Sequence, residues 1–147
     1  MGSSGQSGRG LFLHASRLQH SCVPNVQQAY NATLGMSTVH VTRDIKEGEE
    51  LARSYINHVR NDCEERAELL SRWGFHCGCA ACVGPQATLH ERRQRIIMGH
   101  MADLDMYDRG SVSSTALRGP REAVACAEDV VGFLKQQGIE DLELARA

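Results

Sequence analysis

The sequence predicts an α+β fold with a short β-rich half, a cysteine-rich metal-binding segment and an α-helical C-terminal region. Residues 38–42 alternate and are rich in β-branched side chains, which indicates a strand. Three cysteines follow within residues 77–82, which is typical of a metal-binding loop. From residue 88 onwards, apolar residues recur every three to four positions, as on amphipathic helices. Strands and helices therefore occupy separate parts of the chain.

The β-rich half contains two short predicted strands after a mixed apolar segment at residues 11–18. Pro24 excludes regular structure in the segment that follows. Residues 38–42 form the first strand and residues 51–56 the second, with a turn at residues 46–49 between them. Because the two strands are separated by little more than this turn, we expect them to form a hairpin.

The first predicted helix has start and stop signals of its own. Asn61 or Asp62 can cap its N-terminus, with Glu64 or Glu65 at the capping-box position. Gly74 ends the helix. The residues that share its apolar face are Cys63, Ala67 and Leu70.

Two longer helices are predicted after the cysteines, the first from Thr88 to about Tyr107 and the second from Pro120 to Gly138. A polar loop at residues 108–118 joins them. A fourth helix begins at residues 140–147 and stops without a cap, which suggests a fragment. The inward faces are Leu89, Ile96, Ile97, Met101 and Leu104 on the first helix, and Ala123, Ala127, Val130, Val131 and Leu134 on the second.

Composition excludes several classes of protein. The 147 residues carry a net charge of −2, which argues against a broadly basic nucleic-acid surface. No apolar run approaches the ~20 residues of a membrane span, and residues 1–10 form a Gly- and Ser-rich tail without a signal peptide. We therefore expect an intracellular protein, with no choice between nucleus and cytoplasm. Aromatic residues are only 5%, so the fold needs a staple or belongs to a larger unit.

Cys77, Cys79 and Cys82 are predicted to bind Zn²⁺, whose structural sites are tetrahedral and rich in thiolates. His76 is a conceivable fourth ligand, but its neighbour would crowd it, and Cys22 is the better candidate. The alternative is a redox pair of Cys79 and Cys82, but no thioredoxin-like unit surrounds it. The two remaining cysteines, Cys63 and Cys126, are interpreted as small buried apolar residues.

Three motifs together resemble the SET-domain protein-lysine methyltransferases. Residues 16–25, with His-Ser-Cys-Val-Pro-Asn at their end, are similar to the family's Asn-His-Ser-Cys-x-Pro-Asn signature. Residues 48–55 resemble its Gly-Glu-Glu-Leu-x-x-x-Tyr signature, and residues 74–82 resemble the post-SET Phe-x-Cys-x-Cys-x-x-Cys segment. The resemblance covers about residues 10–84, the C-terminal half of such a domain. It is strongest to the SET-and-MYND branch and related fungal SET proteins.

The resemblance implies a pseudoknot in which the first two motifs cross and form an S-adenosylmethionine pocket. Gln19 and His20 would hold the adenine and methionine parts, and Phe75 would stack on the adenine. Tyr55 would bind beside the methyl group as the catalytic residue. The implied substrate is a protein lysine, such as one on a histone, with no membrane or direct nucleic-acid partner. A structural zinc would be bound by Cys22, Cys77, Cys79 and Cys82.

The sequence thus divides into a tail (1–10), half a SET domain (11–62), a helix with the post-SET zinc segment (63–84) and a helical region (85–147). Position 19 is Gln where the family has Asn, and the family's N-terminal half is absent. We therefore expect this chain alone to be inactive. The alternative hypothesis is a non-catalytic, zinc-stapled protein-interaction module derived from a SET domain. A DNA-binding zinc finger is disfavoured by the acidic charge balance.

Overall fold

The chain is described over residues 10–110, 117 and 119–139 of a computed structural model. This part of the chain contains a 3-10 helix, four strands and three α-helices. The strands precede the α-helices, so the predicted α+β class is confirmed. The bounds are Ala15–Arg17 for the 3-10 helix, β1 Gln19–His20, β2 Val26–Asn31, β3 Met36–Val41, β4 Ala52–Arg53, α1 Cys63–Ser71, α2 Ala87–Asp108 and α3 Pro120–Gln136.

The hairpin is formed by β2 and β3, which pair antiparallel from Val26–Val41 to Asn31–Met36. At its turn, the Asn31 side-chain oxygen accepts hydrogen bonds from the backbone N–H groups of Thr33 and Leu34. Gly35, which follows, has a φ of +63°. The predicted pairing of residues 38–42 with residues 51–56 is therefore wrong. Sequence analysis missed β2 because its two adjacent glutamines hide the apolar alternation of a strand.

The second signature segment instead runs parallel to the first. β1 pairs with β4 in the register Gln19–Ala52 and His20–Arg53. The predicted strand at residues 51–56 thus contains only two paired residues. The turn before it is confirmed, because the Glu49 backbone N–H donates to the Lys46 carbonyl at 3.0 Å. The strand that follows this turn, β4, therefore pairs in parallel with β1 and does not form a hairpin with β3.

Helix α1 begins at a capping box, as the sequence predicts. The Asp62 carboxylate accepts from the Glu65 N–H, and the Glu65 carboxylate accepts from the Asp62 N–H, both at 2.9 Å. Its inward face differs from the prediction, since Ala67 is exposed and Arg66 is buried together with Leu70. A charged residue in that position was not expected from the apolar pattern.

Helices α2 and α3 pack against each other around an apolar core. This cluster consists of Val59, Ile97, Met101, Val130, Leu134 and Ile139. Leu89 and Ile96 were expected to point inward, but both are exposed. The buried face instead begins at Gln94, whose side-chain amide donates to the Val59 carbonyl. The buried residues of α2 are therefore Gln94, Ile97 and Met101 rather than the full apolar set.

The C-terminal region begins and ends its last described helix where the sequence predicts. Helix α3 starts at Pro120, and Gly138 follows its end with a φ of +72°. Cys126 is buried and its thiol donates to the His100 carbonyl at 3.6 Å, whereas Cys63 is half-buried. Residues 111–116, 118 and 140–147, which include the predicted fourth helix, lie outside the described residues. None of the described helices has the length and hydropathy that a membrane span requires.

Candidate functional site

Asn25 joins the two signature segments at their crossing. Its side chain is 3% exposed, and its Oδ1 accepts from the Ala52 N–H at 2.8 Å while its own N–H donates to the Ala52 carbonyl at 3.1 Å. Its Nδ2 donates to Glu49 Oε1 at 3.0 Å and to the Glu50 carbonyl at 2.9 Å. Its own carbonyl accepts from the Thr42 N–H at 3.0 Å. Because these buried polar groups all have partners, the crossing is held in one register.

Glu49 supplies the negative charge beside this crossing. Its carboxylate accepts hydrogen bonds from the Arg43 guanidinium, from the Asn25 amide and from the Lys46 backbone N–H. The Arg43 guanidinium, followed by the Asn25 amide, lowers the pKa of Glu49 to about 2. The same hydrogen bond raises the pKa of Arg43. Both side chains are therefore charged at neutral pH.

His20 connects the crossing to the cysteines. The Tyr55 backbone N–H donates to His20 Nδ1 at 3.0 Å, and His20 Nε2 lies 3.3 Å from the Cys22 sulfur. Burial lowers the pKa of His20 to about 4, so the ring is neutral at pH 7. Since Nδ1 accepts a hydrogen bond, the proton is on Nε2, which donates to the sulfur.

Three aromatic side chains, Tyr55, Trp73 and Phe75, form a cluster with the His20 ring. The Tyr55 ring centroid lies 5.3 Å from that of His20 and 5.0 Å from that of Trp73. The Phe75 ring lies 5.9 Å from His20 and meets Tyr55 edge-on at 6.3 Å. The Tyr55 hydroxyl donates to the Leu18 carbonyl at 2.6 Å. This packing fixes the orientation of the Tyr55 side chain.

The sulfur atoms of Cys22, Cys77, Cys79 and Cys82 lie within 4.8 Å of one another. The Cys22 sulfur lies 4.0 Å from that of Cys77 and 3.6 Å from that of Cys82. A tetrahedral site with Zn–S bonds of about 2.3 Å requires sulfur–sulfur distances of about 3.8 Å. The four cysteines therefore fit one metal ion, and His76, the alternative fourth ligand, is outside this group. Their role as zinc ligands stays a prediction, taken up below.

The thiols of this cluster influence one another strongly. Hydrogen bonds from Cys22 and Cys82 lower the pKa of Cys79. The pKa of Cys22 is raised by hydrogen bonds with Cys79 and Cys82 and by burial. Because one thiolate forms readily and suppresses ionisation of its neighbour, four thiolates can coexist here only beside compensating positive charge.

A cavity of about 480 Å³ opens between the crossing and the cysteine loop. Its volume falls in the range of about 300–1,000 Å³ that is usual for small-molecule sites. Of the four predicted cofactor-binding residues, Gln19, His20 and Phe75 line it, whereas Tyr55 does not. Charged walls are supplied by Arg43, Glu49 and Glu50. The cavity can thus offer a small molecule an aromatic face and charges of both signs.

Sequence reasoning assigned no role to Asn25 or Arg66, although both contribute to the site. Asn25 is the last residue of the first signature, so its place in the motif already indicated a role at the site. Arg66 precedes the buried Leu70 by one helical turn, and this spacing could have shown that it faces inward. A charged residue on a buried face is informative because it needs a partner.

Comparisons with known proteins agree with the motifs. The family model of the SET domain matches residues 3–56, which extends into the segment assigned to a tail. Histone-lysine N-methyltransferase set5 of Schizosaccharomyces pombe is 36% identical over 116 residues, which are 78% of this chain and 34% of that protein. Histone-lysine N-methyltransferase SET5 of Meyerozyma guilliermondii is 40% identical over 91 residues, 60% of this chain and 19% of that protein.

A SET and MYND domain-containing protein of Dictyostelium discoideum is 38% identical over 88 residues, 58% of this chain and 17% of that protein. The chain thus spans about one third or less of the length of these relatives. The resemblance to fungal SET proteins and to the SET-and-MYND branch is confirmed. The signature segments cross and the four cysteines are gathered beside them, and the chain matches the SET domain family over residues 3–56.

Proposed function

We propose that this chain is part of an S-adenosylmethionine-dependent protein-lysine methyltransferase of the SET type. The observation that carries the proposal is the parallel crossing of β1 and β4, which lies beside the four-sulfur cluster and leaves His20 and Phe75 on one cavity wall. Two of the relatives above are named as histone-lysine N-methyltransferases. We therefore propose a lysine side chain of a protein, in the first instance a histone, as the substrate.

The size and the charged lining of the cavity support the proposed cofactor. When bound, S-adenosylmethionine supplies an electrophilic methyl group on a sulfonium. The Phe75 ring offers an apolar face for an adenine, and the Glu49 carboxylate and Arg43 guanidinium offer charges to a zwitterion. Gln19 and His20 also line the cavity. We propose these residues as the binding surface for the cofactor.

Tyr55 is the proposed catalytic residue, acting through its hydroxyl oxygen. Because the hydroxyl donates its proton to the Leu18 carbonyl, its oxygen lone pairs remain free to accept a hydrogen bond from an amine. A free lysine has a pKa near 10.4 and must lose a proton before it can attack. The Arg53 guanidinium lies 4.7 Å from the centre of the Tyr55 ring, so its positive charge disfavours a protonated amine there.

The metal proposed for the four sulfurs is a structural zinc ion. Four thiolates complete a tetrahedron and leave no open position for catalysis. The ion would bind Cys22 to the loop at residues 77–82, and so hold Phe75 beside His20. All six cysteines are free, and reduced thiols suit an intracellular compartment, which is the proposed location.

Titration calorimetry of S-adenosylmethionine into the zinc-loaded chain tests the cofactor site. We expect Phe75→Ala to lose most of the binding heat, because the variant removes the aromatic wall of the cavity. Tyr30→Ala is the matched control, since Tyr30 is an exposed aromatic residue on the hairpin, away from the cavity. Folded wild-type chain that gives no heat at millimolar cofactor would rule out the cofactor site in this chain.

A second candidate function is a non-catalytic protein-interaction module stapled by zinc. It is favoured by Gln19, an exposed side chain at the position where the family has Asn. Zinc content does not separate the two functions, since both require it. Binding heat that depends on Phe75 would favour the methyltransferase, and its absence in a folded, zinc-loaded chain would favour the interaction module.

A further inference from the structure

Arg66 is a buried cation on the face of α1 that packs against the sulfur cluster. Its side chain is 3% exposed. Leu70, one turn later on the same face, packs in one cluster with Cys22 and Ala81. Arginine is almost never buried to this extent without a partner, because desolvating its charge is costly. The surroundings of the guanidinium must therefore supply negative charge.

The carboxylate nearest to Arg66 compensates only part of this charge. Arg66 Nη2 lies 3.6 Å from Glu91 Oε2, while Nη1 donates to the Asn61 carbonyl at 2.9 Å. Glu91 also accepts from the Cys63 backbone N–H and from Arg95 Nε, each at 3.1 Å. Arg66 Nε–H has no hydrogen-bond acceptor. The buried Nε–H of the guanidinium can therefore still donate a hydrogen bond.

The neighbouring thiols are the other source of negative charge. Burial opposes the charge on Arg66, whereas the Cys22, Cys82 and Cys63 sulfurs in their ionised form, and a side-chain hydrogen bond with Cys82, raise the pKa of the guanidinium. Two of these three belong to the four-sulfur cluster. The positive charge therefore lies where the ionised cluster would carry its negative charge.

We propose that Arg66 is the buried counter-ion of the tetrathiolate metal centre and links that centre to the start of α2 through Glu91. The inference depends on the zinc binding proposed above, because Zn²⁺ with four thiolates keeps two net negative charges. A dianion in a low-dielectric interior is unfavourable, and one adjacent guanidinium offsets half of its charge. The same interaction makes the thiolates weaker nucleophiles and slows their alkylation.

Zinc affinity measured by chelator competition tests the counter-ion directly, with the full chain and without any methylation assay. We expect Arg66→Met to weaken zinc binding about 10- to 100-fold, the usual effect of losing an outer-sphere partner. It should also speed zinc release by N-ethylmaleimide. Arg66→Lys retains the charge and should keep most of the affinity. Arg95→Met is the matched control, because Arg95 pairs with the same Glu91 but is exposed to solvent.

A purely structural link between α1 and α2 predicts a different pattern. Glu91→Gln removes that ion pair and leaves the guanidinium beside the thiols, so we expect a lower melting temperature with zinc affinity unchanged. This variant keeps the test decisive if Arg66→Met does not fold. The proposal is overturned if Glu91→Gln loses zinc affinity, or if a folded Arg66→Met binds zinc as tightly as wild type. A folded wild-type chain without one tightly bound zinc would overturn the metal centre itself.

Discussion

The crossing and the paired helices are stabilised in opposite ways. The crossing of β1 and β4 has two residues per strand and depends on Asn25, the Glu49 carboxylate and sulfur atoms more than fifty residues apart. Helices α2 and α3 depend on an apolar cluster that contains Ile97 and Leu134. The candidate site has a smaller set of fully buried apolar residues than the helical core, so directional bonds to specific atoms contribute more to holding it.

The largest expected effect is the loss of one sulfur ligand. Cys79→Ser should release the metal and unfold residues 74–84, because a structural zinc contributes on the order of 10 kcal/mol to folding. Zinc content by atomic spectroscopy and the thermal melting curve measure this loss. Cys126→Ser is the matched control, since its buried thiol lies in the helical core, where one zinc should be retained. One zinc per chain and unchanged melting in Cys79→Ser would contradict the prediction.

A smaller effect is expected when the apolar core is truncated. Ile97 is fully buried between α2 and α3, so Ile97→Ala should lower the free energy of unfolding by about 2–5 kcal/mol through the cavity it leaves. Chemical denaturation measures the loss, and zinc stoichiometry should stay at one. Ile96→Ala, at the exposed neighbouring position, should change stability little. If the Ile97 variant lost zinc instead, the two regions would not be held independently.

The smallest expected effect is the acid sensitivity of the crossing. The pKa of Glu49 is lowered from 4.5 to about 2, so its contribution to stability is present above pH 4.5 and is lost as the pH falls through about 2. Urea denaturation should therefore show wild type more stable than Glu49→Gln at pH 7, with the gap narrowing below pH 4.5. Glu47→Gln, in the adjacent turn, is the control. A gap that stays constant down to pH 2 would contradict the role of the ionised carboxylate.

Local signals were sufficient for several elements. The capping box of Asp62 and Glu65, Pro120 at the start of α3 and Gly138 after its end each act within one helical turn, so their effect is readable from neighbouring residues. The expectation that Cys22 approaches the distant cysteines also agrees with the structure, which places the four sulfurs within 4.8 Å. That expectation came from ligand count, since three thiolates leave one corner of a tetrahedron empty.

Strand pairing and the burial of polar side chains depend on partners far away in the chain, so neighbouring residues do not predict them. The hairpin was assigned to residues 38–42 and 51–56, but the partner of β3 is β2, whose polar residues conceal its period. Counting apolar residues predicts a face of α2 that includes Leu89 and Ile96, whereas the buried face contains Gln94, which donates to the Val59 carbonyl. Arg66 was assigned to no site, because its environment is created only when α1 meets the sulfur cluster.

The fold class, the helix ends, the resemblance to the SET family and the set of four cysteines are readable from the residues, since each depends on nearby residues or on a fixed ligand number. The pairing of the strands, the lining of the cavity and the surroundings of Arg66 become visible once the chain is folded. The physical reason is that strand register and the burial of a charge depend on groups that lie far apart along the chain. Their interaction exists only after the crossing has formed.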